Sequence, residues 1–366
     1  MEHGWLVAIA IATLAVAAVV HHAFWVRRLT VLVEYAELDR IPTPDGSAIE
    51  LRRLGAGGPS AAPPVLMVHG LANTHRGHDP EPGVSLARRL HEEGRDVWLL
   101  TLRSGRHDLR CAERKLVRYD AMLRHDLPTA LRHVLERTRA PAVDYVGFSM
   151  GGMLLYGAVG RFLPAEQLRR VVTIGSPFAV RPPFAALRLL GLLPAFLVPT
   201  LRLRVLARMA AFAVDWMPTP LHRLIYNPRN VAPGVTGRAM INAIADVPGA
   251  LQVDFLGHLA AGGVPLVDGE DPRPRLAGLN VPALFIAGAD DRLGRPEQVR
   301  TAYEAWGSAT GAFKELVVLG RAGGTAEDYG HGDLILGRDV ARDVHERVID
   351  FLAAEDELSA RPARSE

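Results

Sequence analysis

Six short apolar runs, rich in Val, Leu and Ile, constrain the fold of this chain more than any other feature. Amphipathic segments of helical spacing separate them. Apolar strands without a polar face are typical of parallel sheets, because helices cover both faces of such a sheet. The runs are residues 65–68, 97–100, 143–146, 171–174, 283–287 and 316–319, and the helical segments are residues 85–93, 126–137, 151–162, 296–306 and 338–353. This alternation predicts an α/β protein with a mostly parallel, doubly wound sheet.

Two parts of the chain depart from this alternation. Residues 29–54 are typical of two strands around a turn at Pro44, Asp45 and Gly46. From about Pro177 to Asp271 no strand pattern is present, and Leu, Ala, Phe, Pro and Arg dominate. We therefore expect a core formed by residues 29–176 and 276–355, a helical insertion at residues 177–275, and a flexible tail at residues 356–366.

A long uncharged segment at residues 5–25 predicts a membrane helix. It contains no Asp, Glu, Lys or Arg, and Trp5 and Trp25 stand at its two ends. About 20 apolar residues cross a bilayer, and indole rings favour its interface. A cleaved signal peptide is the alternative, but that would place basic residues before the apolar core. Arg27 and Arg28 follow it instead, which predicts a single-pass anchor at residues 1–28 with the rest of the chain in the cytoplasm.

The net charge, the single cysteine and the spacing of the histidines limit the ligands and partners that the chain is expected to bind. The formal net charge of +2 gives no reason to expect nucleic acid. Cys111 is the single cysteine, so it cannot form an internal disulfide, and we expect it to be a partly buried structural thiol. His69, His75 and His78 lie close together in sequence, but acidic and cysteine partners are poorly placed around them. We therefore expect no metal and no cofactor.

A serine stands between two glycines after the third apolar run. Gly147, Ser149 and Gly151 form a G-x-S-x-G pattern between a predicted strand and a predicted helix. A sharp turn there projects the serine hydroxyl from the sheet edge, and the glycines relieve crowding around it. The helix that follows directs its free N–H groups at the site, which favours a developing oxyanion. This context predicts that Ser149 is a nucleophile.

A serine nucleophile needs a base and an acid that orients the base. Among 14 histidines, His331 follows the last strand run and is flanked by glycines, so we expect it at the same sheet edge as Ser149. His91, His222 and His345 fall on presumed helix surfaces, where we expect them to be solvated. Two acids, Asp290 and Asp291, follow the run at residues 283–287. We prefer Asp291 as the orienting acid; Asp328 and Asp333 are rivals that lie too near His331 in sequence.

An acyl-transfer site also requires donors for an oxyanion. The backbone N–H of Met150 directly follows the nucleophile. The second donor is expected in the loop after the first apolar run, where Gly70 permits unusual backbone geometry and Leu71 supplies its N–H. The predicted substrate contacts are Phe148 beside the serine and Phe178 and Phe184 in the insertion.

Several stretches together resemble the α/β-hydrolase superfamily, and more narrowly its acid-lipase-like and polyhydroxyalkanoate synthase-like branch. These are VHGLANTH, SLARRLHEEGRDVWLLTLRSG, HDLPTALRHVLERT, VDYVGFSMGG, IYNPRNV, LFIAGADDRL and DYGHGDLILG. The resemblance implies an α/β-hydrolase fold, a helical lid at residues 177–275 and ester substrates with apolar acyl chains. The synthases use cysteine where this chain has Ser149, which favours hydrolysis, and Phe148 replaces the usual histidine before the nucleophile.

The residues and the resemblance together predict a lipase- or esterase-like serine hydrolase. Its partners would be a small-molecule or lipid ester and a membrane, contacted through the anchor and through the arginine-bearing apolar lid. An acyltransferase with the same three residues is the first alternative. A membrane-tethered binding protein on a hydrolase scaffold is the second.

Overall fold

Eight strands form one sheet at the centre of the molecule. The computed structural model describes residues 4–55, 62–179, 197–217, 219, 222–260 and 263–354. The strands are β1 (Glu37–Pro42), β2 (Ala48–Arg53), β3 (Val65–Val68), β4 (Val97–Thr101), β5 (Val143–Phe148), β6 (Leu168–Ile174), β7 (Ala283–Gly288) and β8 (Lys314–Leu319). Their order across the sheet is β1-β2-β4-β3-β5-β6-β7-β8. Strands β1, β2 and β4 pair antiparallel, and the remaining neighbours pair parallel.

The strand predictions are confirmed. All six apolar runs are strands, and the two expected strands before them form a hairpin whose turn includes Gly46 at a φ of 83°. The central strands β3, β4, β5 and β7 are buried along their whole length, whereas β8 at the edge is only partly buried. An edge strand has a neighbour on one side only, which explains its lower burial.

Helices flank the sheet on both faces. The helices of the described residues, including those of the insertion, are α1 (Gly4–Leu29), α2 (Leu86–Glu92), α3 (Cys111–Arg114), α4 (Tyr119–Ala121), α5 (Leu127–Thr138), α6 (Met150–Ala158), α7 (Leu203–Ala210), α8 (His222–Ile225), α9 (Val235–Asn242), α10 (Gly249–Ala260), α11 (Arg273–Ala277), α12 (Pro296–Ala305), α13 (Asp333–Leu336) and α14 (Glu346–Ala353). Of these, α1 is exposed and does not cover the sheet. Two π-helical segments, Met122–Asp126 and Ala341–His345, lead into α5 and α14. All five predicted helical segments contain a helix, with shifted ends.

Two hydrophobic layers cover the two faces of the sheet. Leu66 and Val68 of β3 pack in one layer with α5 and α6, and Val65 and Met67 pack in the other with α2 and α14. Successive side chains of a strand point to opposite faces, so a strand that is covered on both sides must be apolar at every position.

The described residues between β6 and β7 are helical and pair with no strand of the sheet, as expected for an insertion. Short backbone bridges join this insertion to itself and to the core: Leu201 with Val247, Asn73 with Ile244, and Val231 with Gly337. The exact domain boundaries remain a prediction. Phe184 lies outside the described residues.

Helix α1 is long and apolar enough to cross a membrane. The segment Trp5–Leu29 has a mean hydropathy of 2.2 in its most apolar window, and none of that window is buried. Its last turns contact the insertion: the amide of Asn242 donates to the carbonyl of Leu29 at 2.9 Å, and the rings of His21 and Phe212 lie 4.7 Å apart.

Two predictions about single residues are wrong. Cys111 is exposed rather than partly buried, because it begins the four-residue surface helix α3. His345 is only 2% exposed rather than solvated. It ends the π-helical segment Ala341–His345, and a π turn holds an additional residue, which shifts the face that each side chain presents. His345 lines a small cavity together with His78, Leu86 and Leu334.

Burial of His345 generates a prediction about acid stability. Burial lowers the pKa of His345 from 6.5 to about 4. Between these values the unfolded chain binds more protons than the folded chain, so stability is lost as the pH falls, by up to about 1.4 kcal/mol per pH unit. We expect His345→Leu to weaken the pH dependence of the free energy of unfolding between about pH 6 and pH 4, measured by urea unfolding in detergent. The exposed His91, changed to Leu, is the control and should leave the slope unaltered; equal slopes for all three proteins would contradict the prediction.

Candidate active site

Ser149 occupies a strained turn between β5 and α6. Its φ of 52° and ψ of −117° lie in a region that non-glycine residues rarely adopt. The turn is held by hydrogen bonds from the Ser149 amide to the carbonyl of Ile174 at 2.9 Å and from the Met153 amide to the carbonyl of Ser149 at 3.2 Å. The serine is therefore fixed at the carboxyl end of β5, with its side chain at the sheet edge.

Glycines allow backbone segments to approach this turn closely. A Cβ atom on Gly151 would lie 2.3 Å from the carbonyl oxygen of Val68 in β3, and one on Gly147 would lie 2.7 Å from the amide nitrogen of Gly152. A Cβ atom on Gly70 would lie 2.9 Å from the Cβ of Ser149. The two glycines of the sequence pattern therefore have a steric reason, and Gly70 brings its loop directly against the serine.

Three predicted site residues come together at this edge. The Oγ of Ser149 lies 2.9 Å from Nε2 of His331, and Nδ1 of His331 lies 2.7 Å from Oδ2 of Asp291. Asp291 and His331 are buried, and Ser149 is half-buried. The three residues follow β5, β7 and β8, whose parallel arrangement places their carboxyl ends side by side.

Asp291, rather than Asp290, is oriented towards His331. Its Oδ1 accepts hydrogen bonds from the amides of Leu293 at 2.8 Å and Gly294 at 2.7 Å, which leaves Oδ2 for the imidazole. These two backbone donors fix the orientation of the carboxylate. Asp290 is turned outwards and lies 3.4 Å from the guanidinium of Arg292, so the structure does not place it near the imidazole.

The two predicted oxyanion donors belong to segments that adjoin Ser149. Met150 begins α6 directly after Ser149, and Leu71 follows the glycine that abuts the serine Cβ. Within the described part of the chain, neither amide donates a hydrogen bond to another residue. Both N–H groups are thus available to a substrate oxygen, as an oxyanion site requires.

Three histidines hold the loop that carries Leu71. His69 accepts the amide proton of Leu102 at Nε2 over 3.1 Å, so its Nδ1 carries the proton and donates to the carbonyl of Gly70 at 2.8 Å. His78 donates to the carbonyl of Val68 at 3.0 Å. Burial lowers the pKa of His69 and His78 to about 4, which keeps both rings neutral. His75 lies 2.9 Å from the hydroxyl of Thr101. These rings therefore serve the loop through hydrogen bonds.

The aromatic residues differ in their relation to the site. The Phe148 ring packs on His331 with centroids 4.9 Å apart, so it supports the imidazole from one side. Phe178 is 2% exposed and lies in the main core near Tyr156, with ring centroids 6.1 Å apart. The substrate contacts assigned to Phe148, Phe178 and Phe184 remain predictions.

Asp333 is a site residue that sequence reasoning considered only as a rival to Asp291. Its carboxylate accepts hydrogen bonds from the amide of Gly330 at 2.9 Å and from the amide of Asn227 at 2.9 Å, and the side chain of Asn230 donates to it at 3.3 Å. Burial raises its pKa to about 6. Asp333 therefore fastens the His331 loop to the insertion. The only sequence signal was its position two residues after His331.

This strand order, with serine, histidine and aspartate at the carboxyl edge, defines an α/β hydrolase. The sequence matches the family described as serine aminopeptidase, S33, over residues 60–317. The chain belongs to this family of α/β hydrolases.

Two relatives share a shorter stretch with the chain. Lipase 1 of Drosophila melanogaster is 33% identical over 124 residues, which is 32% of this chain and 28% of the relative. A tear acid lipase-like protein of Mesocricetus auratus is 32% identical over 129 residues, which is 32% of each chain. The matched stretch thus spans less than a third of the length of either curated relative.

Solved structures of several hydrolases share the fold at low identity. An enol-lactonase from Burkholderia xenovorans LB400 has a TM-score of 0.55 at 17% identity and covers 86% of this chain and 100% of its own. An esterase from Exiguobacterium antarcticum has a TM-score of 0.53 at 18% identity, with 86% and 99% covered. A bromoperoxidase from Bacillus anthracis has a TM-score of 0.56 at 18% identity, with 87% and 100% covered. These likenesses show the fold alone.

The contact at Gly151 generates a prediction about stability. In Gly151→Ala the new methyl group would clash with the backbone of β3, which is buried and cannot move as a side chain does. We expect a loss of about 2–4 kcal/mol in the free energy of unfolding. Gly83→Ala is the matched control, since nothing lies within 4 Å of its added Cβ. Equal stability of the two variants in urea unfolding would contradict the proposed crowding.

The position of Asp333 generates a prediction about turnover. Asparagine cannot accept both backbone N–H groups without turning its own NH₂ towards one of them, so Asp333→Asn should displace the His331 loop. We expect kcat to fall about 10-fold with little change in KM. Burial raises the pKa of Asp333 to about 6, so Asp333 becomes protonated in the wild type as the pH falls through that value. This protonation should lower the kcat of the wild type further, and Asp333→Asn should not show this additional decrease. The outward-facing Asp290, changed to Asn, is the control; a pH profile of Asp333→Asn identical to that of the wild type would contradict the role.

Proposed function

We propose that this chain is a membrane-anchored serine hydrolase of carboxylic esters with apolar acyl chains. The observation that carries the proposal is the His331 imidazole, held between the Ser149 hydroxyl at 2.9 Å and the Asp291 carboxylate at 2.7 Å. A base within hydrogen-bond reach of the nucleophile, oriented by a buried acid, is the arrangement that acyl transfer by serine requires.

Each residue has a defined part in the proposed reaction. The Ser149 Oγ attacks the ester carbonyl while Nε2 of His331 takes its proton, and the amides of Met150 and Leu71 stabilise the oxyanion. His331 then gives the proton to the leaving alcohol, which produces an acyl-enzyme. Water attacks this ester with His331 as the base, and the acid and free Ser149 are released. Asp291 keeps the imidazole in the productive tautomer and stabilises its charged form.

Similarity to named lipases and esterases supports an ester as the substrate. The two relatives with more than 30% identity are both named as lipases, over a part of their length. The family description names an aminopeptidase, and so peptidase activity is the second candidate. The same three residues cleave amides and transfer acyl groups to alcohols, so the choice depends on measured substrates.

Helix α1 supports the proposed membrane attachment. Its apolar window is fully exposed, and a soluble protein would bury such a surface or lack it. We propose that α1 is a single-pass anchor and that, following Arg27 and Arg28, the catalytic part lies in the cytoplasm. An ester dissolved in the same bilayer would then reach the site at a raised local concentration.

The proposal predicts labelling and hydrolysis that depend on Ser149. Detergent-solubilised full chain should react with a fluorophosphonate probe and hydrolyse p-nitrophenyl esters, and Ser149→Ala should abolish labelling and lower kcat by on the order of 10³-fold or more. Ser308→Ala, at an exposed serine, is the control. A folded wild type that is neither labelled nor active would favour the binding-protein alternative. Faster cleavage of an aminoacyl amide than of an ester would show a peptidase in place of an ester hydrolase. Acyl transfer to an added lipid alcohol in preference to water would show an acyltransferase.

A further inference from the structure

The first part of the insertion is apolar on two opposite faces. Helix α7 and the helical turns that continue it to Met217 bury small or medium side chains at Ala207, Ala211 and Val214 against the protein. At helical spacing on the other side lies a row of large apolar side chains, 37% to 75% exposed, which we call the outer row: Val205, Leu206, Met209, Phe212 and Trp216. A helix in water would present polar residues on that side.

The outer row is joined to helix α1. Phe212 packs edge-on against His21, with ring centroids 4.7 Å apart, and lies 6.3 Å from the Trp25 ring. The side chain of Asn242 in α9 forms two hydrogen bonds at the end of α1. It donates to the carbonyl of Leu29 at 2.9 Å and accepts from the amide of Val31 at 3.1 Å. The end of α1 and the insertion therefore form one packed unit.

This packing fixes the depth of the outer row relative to a bilayer. Residues 5–20 of α1 extend fully exposed for about 24 Å, which is shorter than the hydrocarbon thickness of about 30 Å. To cross a bilayer, α1 must also embed the turns that contain His21 and Trp25. Because those residues contact Phe212, the outer row must lie at the membrane surface.

Positive charge surrounds the same region. Arg27 and Arg28 end α1, and the exposed Arg202 directly precedes α7. In the described part of the chain none of these three arginines lies within ion-pair distance of a carboxylate. Long arginine side chains can extend from an apolar helix to anionic headgroups.

We propose that the outer row is a second membrane-binding surface, which lies in the interface of an anionic bilayer beside α1. The inference rests on the proposed anchor and extends it, since it brings the insertion into the lipid. From Asn242 the chain continues directly to Ile244 and Ala245, which pair with Asn73 and donate to the carbonyl of Ala72 at 2.9 Å. These contacts connect the proposed membrane surface to the loop that carries Leu71, and the proposal implies that the ester substrate enters the site from the bilayer.

Depth-dependent quenching tests the surface independently of catalysis. In full-length Cys111→Ser protein, cysteines are placed at Met209 or Trp216 on the outer row, at Leu14 in α1, and at Glu92 at the far end of α2. Each is labelled with bimane in phosphatidylcholine–phosphatidylglycerol vesicles that contain lipids with a nitroxide on the acyl chain. We expect quenching at positions 209 and 216 to exceed that at position 92 at least about threefold. Quenching at position 14 without quenching at positions 209 and 216 would refute the second membrane-binding surface but support the anchor. No quenching at position 14 would refute both proposals.

A charge substitution tests the consequence for substrate. Leu206 and Leu38 are 55% and 59% exposed, so Leu38→Glu on β1 is a matched control for Leu206→Glu on the outer row. The measured quantity is the rate on vesicle-embedded p-nitrophenyl palmitate divided by the rate on soluble p-nitrophenyl acetate. We expect Leu206→Glu to lower this ratio about fivefold or more and Leu38→Glu to preserve it. An unchanged ratio in Leu206→Glu, or cross-linking of position 209 between two copies in place of lipid quenching, would overturn the proposal.

Discussion

The close contact between the start of α6 and the end of β3 is the constraint on which the site depends. Gly151 lies so near the carbonyl of Val68 that no side chain fits between them. Ser149, two residues before Gly151, has a positive φ, and the loop that continues from β3 to Leu71 lies beside the serine. The hydrophobic layers on both faces of the sheet hold β3 and β5 in place, so the strained turn at Ser149 cannot relax.

The insertion holds both loops that complete the site. Asp333 joins the His331 loop to Asn227 and Asn230 through hydrogen bonds. Ala245, which follows α9, donates a hydrogen bond to the loop that carries Leu71. The His331 imidazole and the loop that carries Leu71 are therefore positioned partly by the insertion, and not by the sheet alone. The end of α1 is packed on the same insertion, which connects the apolar helix α1 physically to the edge that carries Ser149.

Buried neutral histidines are a second theme of the structure. His69 and His78 support the loop that carries Leu71 as neutral rings, and His345 lines one small cavity together with His78. A neutral imidazole joins a donor and an acceptor on one rigid ring, so His69 connects the loop to the end of β4. These buried rings make the fold sensitive to acid, because each ring binds a proton once unfolding exposes it to acidic solvent.

The sequence by itself determined the sheet, the identity of the strands and the residues that meet at its edge. Apolar periodicity is local, and parallel strands bring their carboxyl ends together whatever the intervening chain, so Ser149, Asp291 and His331 were predictable. Tertiary structure alone decided that His345 is buried and Cys111 exposed, because a π turn shifts a helix face and a four-residue helix carries no readable period. It also decided the part played by Asp333 and the docking of α1 on Phe212, since contacts between residues far apart in the chain leave no pattern in a single sequence.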